Sequence, residues 1–183
     1  RLLAYSGIAQ AGYLLVGLAA LSENGVGALL FYIVAYGFAN LLAFGVVIAF
    51  AETTGNFETS DYSGLWRRSP YSAFVLTVAL LSLAGLPLMA GFMAKFYVFL
   101  MAAEAGLIWL VAIGVINSVI AIYYYLRVVW QIYVGDSGEG RVSTGPAGAV
   151  AMGLCTVGVF ALGLFPEPFL RAAQHAASAL FGG

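Results

Sequence analysis

Residues 70–103, PYSAFVLTVALLSLAGLPLMAGFMAKFYVFLMAA, are apolar throughout apart from small polar groups and one charge, Lys95, the only lysine of the chain. A helix rises about 1.5 Å per residue and about 20 residues cross a hydrocarbon core, so the run is too long for one straight, untilted span. It is predicted to be broken at Gly85-Leu86-Pro87. Pro87 has no N–H for the carbonyl of Leu83, its ring pushes that carbonyl aside, and Gly85 lets the backbone bend. Irregular backbone at that depth survives only where protein or a water-filled cavity satisfies it, which predicts a hydrated pocket at the break, with Lys95 beyond it. The competing reading is a snorkelling lysine with its ammonium at the headgroups. Glu104 marks the expected membrane exit, about 13 Å from Lys95 along a helix and near the limit of such a side chain.

Working outward, the 183 residues are 63% hydrophobic and 8% charged, whereas a soluble domain carries about 25% charge. This is the composition of an integral membrane protein, an all-α polytopic bundle. Seven basic residues against eight acidic ones, with no basic stripe, argue against nucleic-acid binding. Cys155 is alone in an apolar run and reads as a small hydrophobe. Arg1 at the start, with no charged leader and cleavage site, predicts that the numbering begins inside a longer protein.

The whole chain, 1–183, reads as one transmembrane domain of five spans: 2–21, 26–50, 70–103 broken at 85–87, 107–130 and 148–165, with an interfacial tail over 167–183. The first carries Tyr5, Ser6, Gln10 and Tyr13, and ends at the Ser22-Glu23-Asn24-Gly25 turn. Its small residues Ala4, Gly7, Ala11 and Gly12 are expected to let another helix approach, and Gln10 to bond between helices or line a path. The second sets Tyr32, Tyr36 and Asn40 on one face, either as packing glue or as the lining of a proton path. The stretch from Ala51 to Ser69, with Glu52, Glu58, Asp61, Arg67 and Arg68, reads as a solvated loop. Tyr123-Tyr124-Tyr125, followed by Arg127 and Trp130, reads as an interfacial aromatic belt, and Asn117 as a packing residue. The stretch from Val134 to Ala147, with Asp136, Glu139 and Arg141, reads as an aqueous loop. In the tail Leu170, Ala173, Ala177 and Leu180 form an apolar stripe, with Arg171, Gln174, His175 and Ser178 on another face. His175, the only histidine, makes no metal site by itself and reads as a surface residue.

Five spans put Arg1, Arg67, Arg68, Arg127 and Arg141 on one side and Arg171 on the other, so the positive-inside rule places the N-terminal end in the cytoplasm, or its organelle equivalent, and the tail outside. The expected membrane is a bacterial inner membrane or an organelle's inner membrane. The chain has no phosphate-binding glycine loop, no paired histidine and cysteine ligands, no Ser/His/Asp set and no dinucleotide fingerprint, so neither a redox centre nor a metal is expected in it. A buried titratable amine suits a proton relay, because both gain and loss of its proton must be accessible.

The run Arg1 to Tyr13, RLLAYSGIAQAGY, resembles the signature of the antiporter-like membrane subunits of proton-pumping NADH:quinone oxidoreductase. Leu81-Ser82-Leu83-Ala84-Gly85-Leu86-Pro87, with Gly91-Phe92-Met93-Ala94-Lys95-Phe96, is similar to their second broken helix and its buried lysine. Gly64 to Pro70 and Tyr123 to Val129 fit as well. Gly7 stands where that signature has Ser or Thr. The resemblance implies the last five of fourteen helices, and it is best with the N-type branch, which keeps lysine at position 95 and lacks a long lateral helix. It implies proton translocation with Lys95 as relay, while Tyr32, Tyr36, Asn40 and Gln10 stay, from their polar positions alone, candidates for path lining or for packing. It also implies FMN, iron–sulfur clusters, NADH and quinone in partner subunits, with no cofactor in this chain. A subunit of a multi-subunit cation/proton antiporter and a structural membrane anchor are the alternatives.

Overall fold

The structure, a computed structural model, describes residues 2–20, 23–55, 58–135 and 144–181. Arg1, Ser22 of the expected turn, Asp136, Glu139 and Arg141, and the side chain of Leu180, lie outside them. Among the described residues the elements are α1 Leu2–Ala19, α2 Glu23–Thr54, a 3-10 turn Thr59–Tyr62, α3 Leu65–Arg68, α4 Pro70–Ala84, α5 Ala90–Glu104, α6 Ile108–Val134, α7 Pro146–Leu164 and α8 Pro166–Phe181. Four of these, α1, α2, α6 and α7, are long and apolar enough to cross a membrane. Helices α4 and α5 have 15 residues each, about 22 Å, so neither alone crosses about 30 Å of hydrocarbon and the two in series do. The chain is an all-α polytopic bundle with one broken span.

The central element is α2, which packs against α1, α4, α5, α7 and α8. Its buried side chains, Ala28, Phe31, Tyr32, Ala35, Ala39, Leu42, Ala43, Val46 and Phe50, recur at three- and four-residue spacing. Four of the nine are alanine, which brings neighbouring backbones close where lipid offers no hydrophobic drive to association. Helix α4 is buried nearly all round, from Ser72 to Ala84, and so forms the inner wall on which the site is built.

Several expectations change. Ala4, Ala11 and Gly12 face outward, and nothing lies within 4 Å of a Cβ placed on Gly12. The close approach on α1 is at Gly17, where a Cβ would stand 3.1 Å from Leu29. Tyr125 is not part of an interfacial belt: α6 continues to Val134, nine residues further, and Tyr125 is fully buried while Tyr123 is 72% exposed. The reason is the helical repeat, which turns adjacent tyrosines to different faces. The Ala51 to Ser69 stretch is not simply solvated, because α2 runs on to Thr54 and Tyr62 and Leu65 are buried in the core. Tyr62 stacks on Phe50 with ring centroids 4.2 Å apart, and the amide of Gly64 donates to the carbonyl of Gln131 at 3.0 Å, fixing the turn to the end of α6. In α8 the apolar stripe faces protein: Ala177 is fully buried, Leu170 and Ala173 pack on the core, and a Cβ on Gly27 of α2 would meet Gln174 at 2.8 Å.

The break itself spans residues 85–89. Gly85 takes a left-handed conformation, φ 83°, that suits its lack of a Cβ, and Leu88 takes one too, φ 74°. A Cβ on Gly163, near the end of α7, would collide with the Leu88 carbonyl and lie 2.7 Å from the carbonyl carbon of Met89. Gly163→Ala is therefore expected to cost about 1–3 kcal/mol by pushing α7 off the break. Thermal melting in detergent measures this, and an unchanged midpoint would mean that α7 does not brace the break.

Candidate functional site at the helix break

A helix leaves its last four carbonyls without intrahelical partners, and those of α4 end inside the bundle. Two are closed by the chain's own turn: the Leu81 carbonyl accepts from the amides of Gly85 and Leu86, each at 3.1 Å, and that of Ser82 accepts from Gly85 at 2.9 Å. Leu83 and Ala84 remain, because Pro87 lacks a donor and the chain turns away. The side chain of Lys95 supplies both, its Nζ donating to the Leu83 carbonyl at 3.1 Å and to the Ala84 carbonyl at 3.2 Å. The Leu83 carbonyl accepts a second bond, from Gln10 Nε2 at 3.2 Å. A cation here also sits at the negative end of the α4 dipole.

Lys95 is 5% exposed and its ammonium faces the break, not the headgroups, so it does not snorkel. The side chain of a helical residue points back toward the helix N-terminus, which carries Nζ from α5 toward the end of α4. Gly85 gives the stem its room, since a Cβ there would lie 3.1 Å from Lys95 Cδ. Nζ also lies 4.6 Å from the centre of the Tyr13 ring, within cation–π range. The Tyr13 hydroxyl accepts from Asn117 Nδ2 at 3.2 Å and from Ser118 Oγ at 3.0 Å, which orients that ring.

The predicted path residues divide. Tyr32 is buried and donates its hydroxyl to Gln10 Oε1, so Tyr32, Gln10 and the Leu83 carbonyl form one chain of hydrogen bonds ending beside Lys95. Tyr36 lines, with Gln10, Tyr32, Ser82 and Lys95, a cavity of about 10 Å³, room for about one water molecule. The pocket is thus tighter than the break alone suggested. Asn40 is not among the residues that line it.

Two participants escaped the sequence reading, the Ala84 carbonyl and the pair formed by Ser6 Oγ and Tyr125 OH, both residues buried. A signal for Ser6 was present, since Ser6, Gln10 and Tyr13 follow at four and three residues on one face of α1. Tyr125 had none, because pairing across 119 residues leaves no local trace.

The family model described as NADH:quinone oxidoreductase/Mrp antiporter, TM, matches residues 1–121. The chain belongs to this family. Among curated relatives, NADH-quinone oxidoreductase subunit N of Moorella thermoacetica is 44% identical over 183 residues, covering 99% of this chain and 38% of that protein. Subunit N of Desulfitobacterium hafniense is 42% identical, covering 98% of this chain and 40% of that protein. A chain of respiratory complex I from Thermus thermophilus with bound aureothin superposes with TM-score 0.82 at 33% identity, over 93% of this chain and 39% of that one. A chain of the Mrp complex from Dietzia shares the fold, with TM-score 0.85 at 23% identity, over 94% of this chain and 41% of that one. The chain thus spans about two-fifths of the length of the curated relatives it matches.

Proposed function

We propose that the chain forms part of an N-type, proton-translocating membrane subunit of an NADH:quinone oxidoreductase, with Lys95 as the group that takes up and releases the proton. The observation that carries this reading is the seat of Lys95, whose Nζ bonds the two carbonyls freed by the break. An ammonium has three N–H donors and a neutral amine two, so two acceptors can stay bonded in either state while the third proton comes and goes. The chain of Tyr32, Gln10 and the Leu83 carbonyl holds the amine's partner in place. Room for about one water beside Nζ gives the mobile proton somewhere to go.

In this reading the end bearing Arg67 and Arg68 faces the cytoplasm of a bacterial cell, and the proton leaves Lys95 toward the other side. NADH, FMN, iron–sulfur clusters and quinone belong to partner subunits. The relatives' names support the assignment to this complex over a cation/proton antiporter.

Lys95→Arg tests it. Guanidinium keeps the donors and the charge but does not give up its proton. In inverted membrane vesicles the assembled variant is expected to reduce quinone with NADH at a lower ratio of protons moved to electrons transferred. A wild-type ratio would overturn the proposal.

A further inference from the structure

A charge held out of water needs partners of opposite sign, and the buried ammonium of Lys95 meets none in the form of an acid. Among the described residues no carboxylate stands within salt-bridge range of it: Glu104 ends α5 nine residues on, and Glu167 on α8 is paired with Arg171. The titratable groups that face Lys95 are phenols, Tyr13 on α1 and Tyr32 and Tyr36 on α2. Helix α4 faces it with two carbonyls and Ser82. On α6, Tyr124 lies against Tyr125, Tyr125 is bonded to Ser6, and Arg127 is exposed. Helix α7, which also packs on α5, carries no charged residue, and Cys155 is its one titratable group.

Of these phenols Tyr13 meets the charge with its ring, Nζ standing over it 4.6 Å from the centre. The ring is fixed from two helices. Lys95 and Phe99 are four residues apart on α5, and Phe99 packs on the same ring in a T-shaped contact, centroids 5.8 Å apart and planes at 69°, so the ring lies against one turn of α5. From α6, Asn117 Nδ2 and Ser118 Oγ donate to its hydroxyl. Tyr13 is itself buried, so the ring has no room to swing away when the amine changes charge.

We propose that the face of the Tyr13 ring, held in place from α6, stands where a carboxylate would otherwise be needed as partner of the Lys95 ammonium, and so sets the pH at which that amine gives up its proton. The inference rests on the reading of Lys95 as proton carrier. Two carbonyls can hold the nitrogen in either state, whereas the negative face of an aromatic ring attracts the cation and does far less for a neutral amine. A buried carboxylate at the same place would bind the ammonium more strongly and hold its proton against release. The ring favours the charged form without doing so. Weakening its π density therefore lowers the pH at which the amine becomes neutral, by about one pH unit for a desolvated contact of this kind.

The test uses the assembled oxidoreductase in inverted vesicles, with the ratio of protons moved to electrons transferred measured across pH. Tyr13→Phe keeps the ring and gives up the hydroxyl, and serves as the reference. Tyr13→3,4,5-trifluorophenylalanine has nearly the same shape but a ring stripped of π density. The two are expected to give one ratio at acid pH, and the fluorinated ring to bring the alkaline fall of the ratio about one pH unit lower. Tyr13→Leu, which has no ring, is expected to move it the same way. A ring that serves packing alone would give Tyr13→Phe and its fluorinated counterpart the same pH profile. Coincident profiles, with pumping lost in Lys95→Met, overturn the role of the ring and keep the carrier. A wild-type ratio in Lys95→Met overturns both. Should Tyr13→Leu fail to assemble, the fluorinated pair decides alone.

Discussion

Lys95→Met is expected to abolish this subunit's share of proton translocation and to weaken the break on which it stands. Methionine matches the length of the lysine stem without donors, so the Ala84 carbonyl loses the one side-chain donor it has among the described residues, while that of Leu83 keeps Gln10. An unsatisfied buried carbonyl costs about 1–3 kcal/mol. Two measurements separate the effects. The ratio of protons moved to electrons transferred reports the carrier, and the melting midpoint of the purified complex reports the lost cap. Lys95→Arg restores donors to the break without restoring a releasable proton, so it is expected to recover stability and not pumping. If Lys95→Arg recovered both, capping of the carbonyls would be the lysine's whole role.

Among the described glycines, Gly91→Ala should be the most damaging, because the added methyl would meet backbone at the shortest distance. A Cβ there would overlap the Ser82 carbonyl oxygen and lie 2.7 Å from its carbon and 3.2 Å from Ser82 Oγ. That hydroxyl already accepts from the Gly91 amide at 3.1 Å, so the two half-helices are in backbone contact at this point. A backbone group cannot swing aside as a side-chain tip does, so α5 must back away from α4 as a unit. Lys95, one turn along α5, is then drawn off its carbonyls. Overpacking of this kind costs about 1–3 kcal/mol, and contact with backbone places Gly91→Ala at the upper end. A lower melting midpoint together with a lower proton-to-electron ratio, although every polar group of the site is intact, is the expected result. An unaltered midpoint would show that the half-helices are not clamped at Gly91.

Which parts were legible in sequence follows from the range of the forces involved. The spans were legible because hydrocarbon thickness and helical rise are fixed lengths, and long uncharged runs answer to them directly. The break was legible because a missing proline N–H is a covalent fact, and it names the Leu83 carbonyl as the group set free. The left-handed Leu88 was not, since its conformation follows from how α7 receives the turn at Gly163. The same limit explains the tyrosines. Composition alone makes Tyr123 to Tyr125 an interfacial belt, yet the bundle takes Tyr125 inside to meet Ser6.

By itself the sequence determined a membrane-spanning helical chain with one broken span and one lysine beyond the break, because solvent and covalent geometry act residue by residue. Only the tertiary structure decided what that lysine touches. Its reach to Leu83 and Ala84, the second bond from Gln10, the Tyr13 ring beneath it and the size of the space beside it depend on where α1, α2, α4 and α5 come to rest. Those positions are set by packing among alanines and glycines far apart in the chain, and no local window of sequence contains them.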